Sequence, residues 1–181
     1  MKEIYEQYLK QSQNNTSMNN NFQRYIDPLC NRPPVLPPCY WEKCIKLRDY
    51  GPNPYVVNIH KASEQNYFYR IALWTGEHLQ VTLMSINPRE DIGLEIHNDF
   101  DQFIRIEEGQ GIVMMGNSPN NLFFQEKVYE DYAILIPAGT WHNLINTGCT
   151  PLKLYSIYAP PAHPHGTIHR TNKDAADEHR Y

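Results

Sequence analysis

Pro137-Ala-Gly-Thr-Trp-His-Asn-Leu-Ile-Asn146 runs across the junction of two apolar stretches, Tyr132 to Ile136 and Trp141 to Ile145. Proline fixes its own φ and glycine tolerates φ > 0, so Pro137 and Gly139 reverse the chain sharply at that point. The turn sets the direction of His142, and a short polar side chain, Asn146, follows it on the same stretch. A histidine delivered by a tight turn between two strand-like runs is expected as a metal ligand at the mouth of a β-barrel.

The pattern P-x-G-x-x-H-x-x-x-N, from Pro137 through Gly139 and His142 to Asn146, resembles the second signature of the cupin superfamily. One glycine that usually lies upstream is replaced by Asp131. Further upstream, Gly93-Leu-Glu-Ile-His-Asn-Asp-Phe-Asp-Gln-Phe-Ile-Arg-Ile-Glu-Glu-Gly109 resembles the first cupin signature in altered form. Counting back from Gly109 puts Gln102 where that signature carries a glutamate, and the family spacing aligns Glu95 and His97 with its two histidines. The resemblance covers about residues 55 to 160. It implies an all-β cupin double-stranded β-helix, a jelly-roll barrel, with a metal held by Glu95, His97, Gln102 and His142.

Strand alternation supports the same register independently. Alternate residues of a strand share a face, so Glu95 and His97 are co-facial, as are Gln102, Ile104 and Ile106, and as are His142 and Leu144. The apolar Ile104 and Ile106 should point into the barrel and take Gln102 inward with them. A shifted register pairs His97 with Asp99 and pushes Asp99 into the connecting turn. Two imidazoles, one carboxylate and one amide oxygen suit a single divalent ion, with zinc, manganese, iron, nickel and cobalt all open. With Glu95 as the only anionic ligand, the ion keeps net positive charge and remains a strong Lewis acid for an oxygen-rich small molecule.

The sequence resembles the small cupins called mannose-6-phosphate isomerase-like, which implies an isomerase-like reaction on a sugar or sugar acid, a small-molecule ligand inside the barrel. A base would have to move the proton, and His78, Tyr155 and Tyr158 are the candidates. Two other readings stay open: a non-catalytic module that binds metal or a small ligand, and a metal-dependent dioxygenase.

The whole chain sets the bounds. At 181 residues it suits one domain plus extensions. The net charge is -4 and its cations are scattered, so nothing points to nucleic acid. No apolar run is long enough for a bilayer and the first residues lack a signal-like stretch, so no membrane is expected and the expected compartment is the cytoplasm. Cys30, Cys39, Cys44 and Cys149 are then expected as reduced thiols.

Three segments follow from composition. Residues 1 to 54 form an arm, with a short helix over Lys2 to Gln11 and a proline-rich extended stretch at Asn31 to Pro38. Half of the fourteen prolines lie before Tyr55. Either the arm carries no chemistry, or Pro33 to Trp41 wraps a neighbouring subunit or closes the barrel mouth; a homodimer is expected. Residues 55 to 160 form the barrel, with short strand-like runs such as Tyr55 to Ile59 and Val128 to Ile136, and hairpins at Trp74 to His78 and Ile106 to Gly111. Residues 161 to 181, with His163, His165 and His169, read as a solvated tail with a short helix.

Overall fold

The computed structural model describes residues 44–178. The expected arm helix and the proline-rich segment with its contacts lie outside those residues. The elements are α1 (Ile59–Gln65), β1 (Arg70–Thr75), β2 (Gln80–Ile86), β3 (Asp101–Glu108), β4 (Gln110–Gly116), β5 (Phe124–Tyr129), β6 (Ala133–Ile136), β7 (Trp141–Asn146), β8 (Leu152–Ala159), β9 (Ile168–His169) and α2 (Asn172–Glu178). They build an all-β jelly roll from a six-stranded antiparallel sheet, β6-β3-β8-β2-β1-β9, and a three-stranded antiparallel sheet, β5-β4-β7.

The alternation in β3 sorts its residues as expected. Gln102, Ile104 and Ile106 are buried, and Ile104 and Ile106 pack with Ile134, Ile136, Leu154, Val113 and Leu144 in the core between the sheets. The larger sheet also buries its other face, where Ile71, Leu73 and Leu83 pack against Ala62 of α1 and against Tyr50, Tyr55 and Val57. Sheets covered on both faces read as continuous apolar runs, which is why Tyr69 to Leu73 shows no clean alternation.

Several expectations need correction. The run Tyr55 to Ile59 is not a strand: the Asn58 side chain accepts the Lys61 amide at 3.0 Å and caps α1, which opens at Ile59. The run Val128 to Ile136 is broken by a turn in which Asp131 adopts φ 71° and its amide bonds Ile106 O at 3.0 Å. Ile106 to Gly111 is not a hairpin, because β3 pairs with β6 and β8 whereas β4 pairs with β5 and β7. Gly109, at φ 93°, carries the chain from one sheet to the other, and a Cβ there would stand 3.1 Å from Pro151 O. Finally, the tail has its short helix, α2, and many exposed residues but is not wholly solvated: β9 pairs with β1, and Thr167, His169 and Ala175 are buried. The Gln80 side chain clamps it from both sides of His163, donating to His163 O at 2.9 Å and accepting from His163 N at 3.0 Å.

Trp74 to His78 does connect the antiparallel pair β1 and β2. Cys149 is disulfide-bonded, which overturns the expectation of a reduced thiol at that position. Among the described residues no helix is long and apolar enough to cross a membrane.

Two polar contacts anchor the frame. Asn146, fully buried, donates to Ile86 O and to Thr150 O, both at 2.8 Å, and accepts from Gly148 N at 2.8 Å. Asn146→Ala should therefore lower unfolding free energy by about 2–4 kcal/mol, because it orphans buried backbone groups; a urea melt showing a loss under about 1 kcal/mol would contradict this. On the outer face, His60 Nδ1 meets the buried Glu107 carboxylate at 2.9 Å and joins α1 to β3. That hydrogen bond raises the pKa of His60, against a small opposing effect of burial. Its stabilisation is present below the ordinary histidine value and is lost as pH rises through the raised folded value. The stability excess of the native chain over His60→Ala should be larger at about pH 5.5 than at about pH 8.5, and a denaturant series giving the opposite order would contradict it.

Candidate metal centre

The Pro137 turn is held from below. Gly139, at φ 75°, donates its amide to His97 O at 2.7 Å, and Ala138 N donates to Asp101 Oδ1 at 2.8 Å. Glu95 and His142 form an antiparallel bridge, with amide–carbonyl distances of 3.0 and 2.9 Å. Paired residues share a face, so these backbone contacts bring Glu95 and His142 side by side. Gln102 approaches from the larger sheet, flanked by Ile136 and Tyr158 in the neighbouring strands.

The four side chains meet. One ligand atom each from Glu95, His97 and His142 lie within 4.8 Å of one another. His142 Nε2 is 3.2 Å from Glu95 Oε1 and 3.1 Å from Gln102 Oε1. His97 Nε2 lies 3.5 Å from Glu95 Oε1; it is buried and makes no hydrogen bond, and its ring stacks on Phe100 at 4.7 Å. Asp99 is exposed in the turn, so the shifted register is not the one the chain adopts.

Hydrogen bonding fixes which atoms face the centre. His142 Nδ1 donates to Thr140 O at 3.0 Å, leaving Nε2 directed at two oxygens. Ser156 Oγ donates to Phe103 O at 3.2 Å and accepts from Gln102 Nε2 at 2.9 Å, while Tyr158 OH accepts from the same amide at 3.3 Å. The amide is thereby oriented with Oε1 toward His142. Lone pairs from two nitrogens and two oxygens converge, and only a second proton on His142 or a cation reconciles them.

The charges agree. Burial alone would raise the pKa of Glu95, but the His142 and His97 imidazoles beside it, and the charge of Arg70, hold it well below the usual carboxylate range. Burial alone would lower that of His142, yet Glu95 outweighs it and the net direction is up. An anionic carboxylate, two imidazoles and an amide oxygen form a donor set that fits a borderline divalent ion.

Of the candidate bases, the structure brings only Tyr158 to the cluster. It is buried beside Gln102, and burial pushes the pKa of its phenol up, so it keeps its proton at neutral pH. His78 sits in the β1–β2 loop with 86% of its side chain exposed. Tyr155 packs on the outer face, 6.2 Å from the Phe103 ring and in the outer apolar cluster. Sequence reasoning missed Ser156, which orients Gln102, and Arg70, whose charge reaches Glu95. The signal for Arg70 was a charged residue opening an otherwise apolar run, in which Ile71 and Leu73 pack outside.

Comparison with known proteins places this geometry. Residues 82–158 match the model of the Cupin domain. YrkC of Bacillus subtilis (strain 168), an uncharacterized protein, is 64% identical over 136 residues, covering 75% of this chain and 73% of that protein. L612 of Acanthamoeba polyphaga mimivirus, likewise uncharacterized, is 46% identical over 115 residues, covering 63% of this chain and 70% of its own. The crystal structure of BH2720 from Bacillus halodurans superposes with a TM-score of 0.72 at 64% identity, covering 72% of this chain and 99% of the other.

The orienting role of Ser156 is testable. Ser156→Ala frees the Gln102 amide to rotate, and titration with Co²⁺ or Mn²⁺ should show affinity reduced about ten-fold or more. Unchanged affinity would mean that Gln102 needs no fixing or does not meet the ion.

Proposed function

The chain belongs to the cupin superfamily, and on that basis we propose a metal-dependent, Lewis-acid enzyme that acts, isomerase-like, on a sugar or sugar acid. Glu95, His97, Gln102 and His142 would hold one divalent ion, with zinc, manganese, iron, nickel and cobalt the suitable metals. The observation that carries the reading is His142 Nε2 facing Glu95 Oε1 and Gln102 Oε1 at 3.2 and 3.1 Å while its other nitrogen is committed to Thr140 O. Bound there, the ion would polarise a ligand carbonyl or hydroxyl.

The remaining steps fall to the chain's own groups. Gln102 adds no charge, so the four ligands leave the centre electrophilic. Tyr158 keeps its proton and can donate a hydrogen bond toward the same space. Phe100 and Tyr158, with ring centroids 6.1 Å apart, shield the His97 side from water. The reading also includes the division into arm (1–54), barrel (55–160) and tail (161–181), supported by the match of residues 82–158 to the Cupin domain. A homodimer is part of it as well, supported by the exposed apolar side chains of Phe123, Phe124, Leu135 and Tyr132.

A second reading, a non-catalytic binding module, is favoured by one observation: the phenol that joins the ligands is a donor, with its pKa pushed up by burial. Metal content and turnover separate these. Untagged protein should contain about one equivalent of zinc or manganese by elemental mass spectrometry and His142→Ala almost none; a full equivalent in that variant would contradict the centre. Exchange of a carbon-bound sugar proton with deuterium from solvent would support the isomerase. One equivalent of metal without exchange on any sugar or sugar acid would leave the module, and iron with oxygen uptake would indicate an oxygenase.

A further inference from the structure

Strand register extends the face of the metal centre across the smaller sheet. Met115 of β4 pairs with His142 on one side and with Phe124 of β5 on the other, and His142 pairs in turn with Glu95. Paired residues point to the same face. Val113, two residues before Met115, and Leu144, two residues after His142, belong to the core between the sheets. The row Phe124, Met115, His142, Glu95 therefore lies on the inner face.

One end of that row is polar and buried, and the other is apolar and open. His142 is buried, Met115 is partly buried against the core, and Phe124 is exposed. β5 and β6 each end a sheet and do not pair with each other. A groove of about 320 Å³ lies there, lined by Met115, Phe123 and Phe124 from β4 and the start of β5, and by Leu135, Pro137 and Thr140 from β6 and the turn that delivers His142. The groove and the centre thus share their supports: Met115 is the strand neighbour of His142, and Thr140 O holds the His142 Nδ1 proton. Neighbouring side chains in such a row stand about 5 Å apart, so a group lying on Met115 and Phe124 is about 5–10 Å from the His142 ring. One small molecule spans that distance.

The lining decides what enters. None of the residues around the groove carries a charge. Such walls favour apolar matter, and a carboxylate or phosphate placed there would lose hydration with no partner to replace it. The volume falls in the range of small-molecule sites. Association of two protein surfaces rests instead on a broad face of about 800 Å² a side.

We infer that this groove is an apolar subsite of the metal centre, taking an uncharged aryl or alkyl group of a ligand whose hydroxyl or carbonyl oxygen meets the metal. Resting on the proposed centre, this narrows the ligand from any sugar or sugar acid to one that carries an apolar substituent. A fully hydroxylated sugar leaves Met115 and Phe124 uncovered.

Acetohydroxamate and phenylacetohydroxamate present the same pair of metal-binding oxygens and differ by one phenyl ring, so calorimetric titration of the zinc-loaded full chain with both isolates the apolar group. Phenylacetohydroxamate should bind at least about ten-fold tighter, the scale of burying one ring in a half-open groove. Phe124→Ala and Leu135→Ala, both at exposed positions, should each cut that ratio about three-fold or more. The methyl proton signal of Met115, identified by its loss in Met115→Leu, should move further with the phenyl compound than with acetohydroxamate. Equal affinities for the two compounds, or a ratio that survives both alanine substitutions, overturns the inference. A ratio left intact while Phe124→Ala turns a dimer into a monomer on size exclusion gives the groove to a second copy and overturns it too. Failure of the metal centre shows separately, as native chain that takes up no zinc. Phenylacetohydroxamate added to the metal-free chain then judges the groove alone: a Met115 shift that Phe124→Ala abolishes keeps it, and no shift removes it.

Discussion

His142 Nε2 lies against two oxygens, Glu95 Oε1 and Gln102 Oε1, while the Nδ1 proton is committed to a hydrogen bond with Thr140 O. Groups that all offer electron pairs repel unless something positive stands among them. Much of the surrounding structure serves to hold them there. The Pro137 turn aims His142, the bridge to Glu95 aligns two backbones, Ser156 locks the Gln102 amide, and Phe100 backs the His97 ring. Each restraint comes from a different strand or turn, so the centre depends on both sheets being in register.

That register rests on burial. The core between the sheets packs the inner residues of β3, β6 and β8 against those of β4 and β7, and the outer face of the larger sheet is covered by α1 and by the segment leading into it. Stiffness of this kind lets a buried carboxylate, an arginine and several imidazoles persist inside a barrel at a tolerable desolvation cost. The tail contributes as well, because β9 brings His169 beside β1 and Gln80 fixes His163 next to Tyr158.

Much of this was legible in the sequence where a local rule dominates. Pro137 and Gly139 announced their turn, and the alternation of Gln102, Ile104 and Ile106 announced the inner face, because both depend on a few neighbouring residues. Asp131, standing where the family pattern has glycine, adopts the left-handed conformation that glycine would supply, and Arg105 pairs with it. Other features were hidden because they are tertiary. The sequence around Gly109 resembles a hairpin, but which sheet each strand joins is decided by partners far along the chain. Tyr55 to Ile59 is rich in strand-forming residues, yet one capping hydrogen bond, accepted by Asn58 from the Lys61 amide, starts a helix. The tail histidines looked solvated because nothing local signals that Ile168 and His169 add a strand to β1.

Anomalous diffraction from crystals of the full chain grown with manganese tests the centre most directly. A single peak is expected about 2.0–2.3 Å from an oxygen of Glu95, Nε2 of His97, Oε1 of Gln102 and Nε2 of His142. A peak among His163, His165 and His169 instead, or none between these four residues, would contradict it.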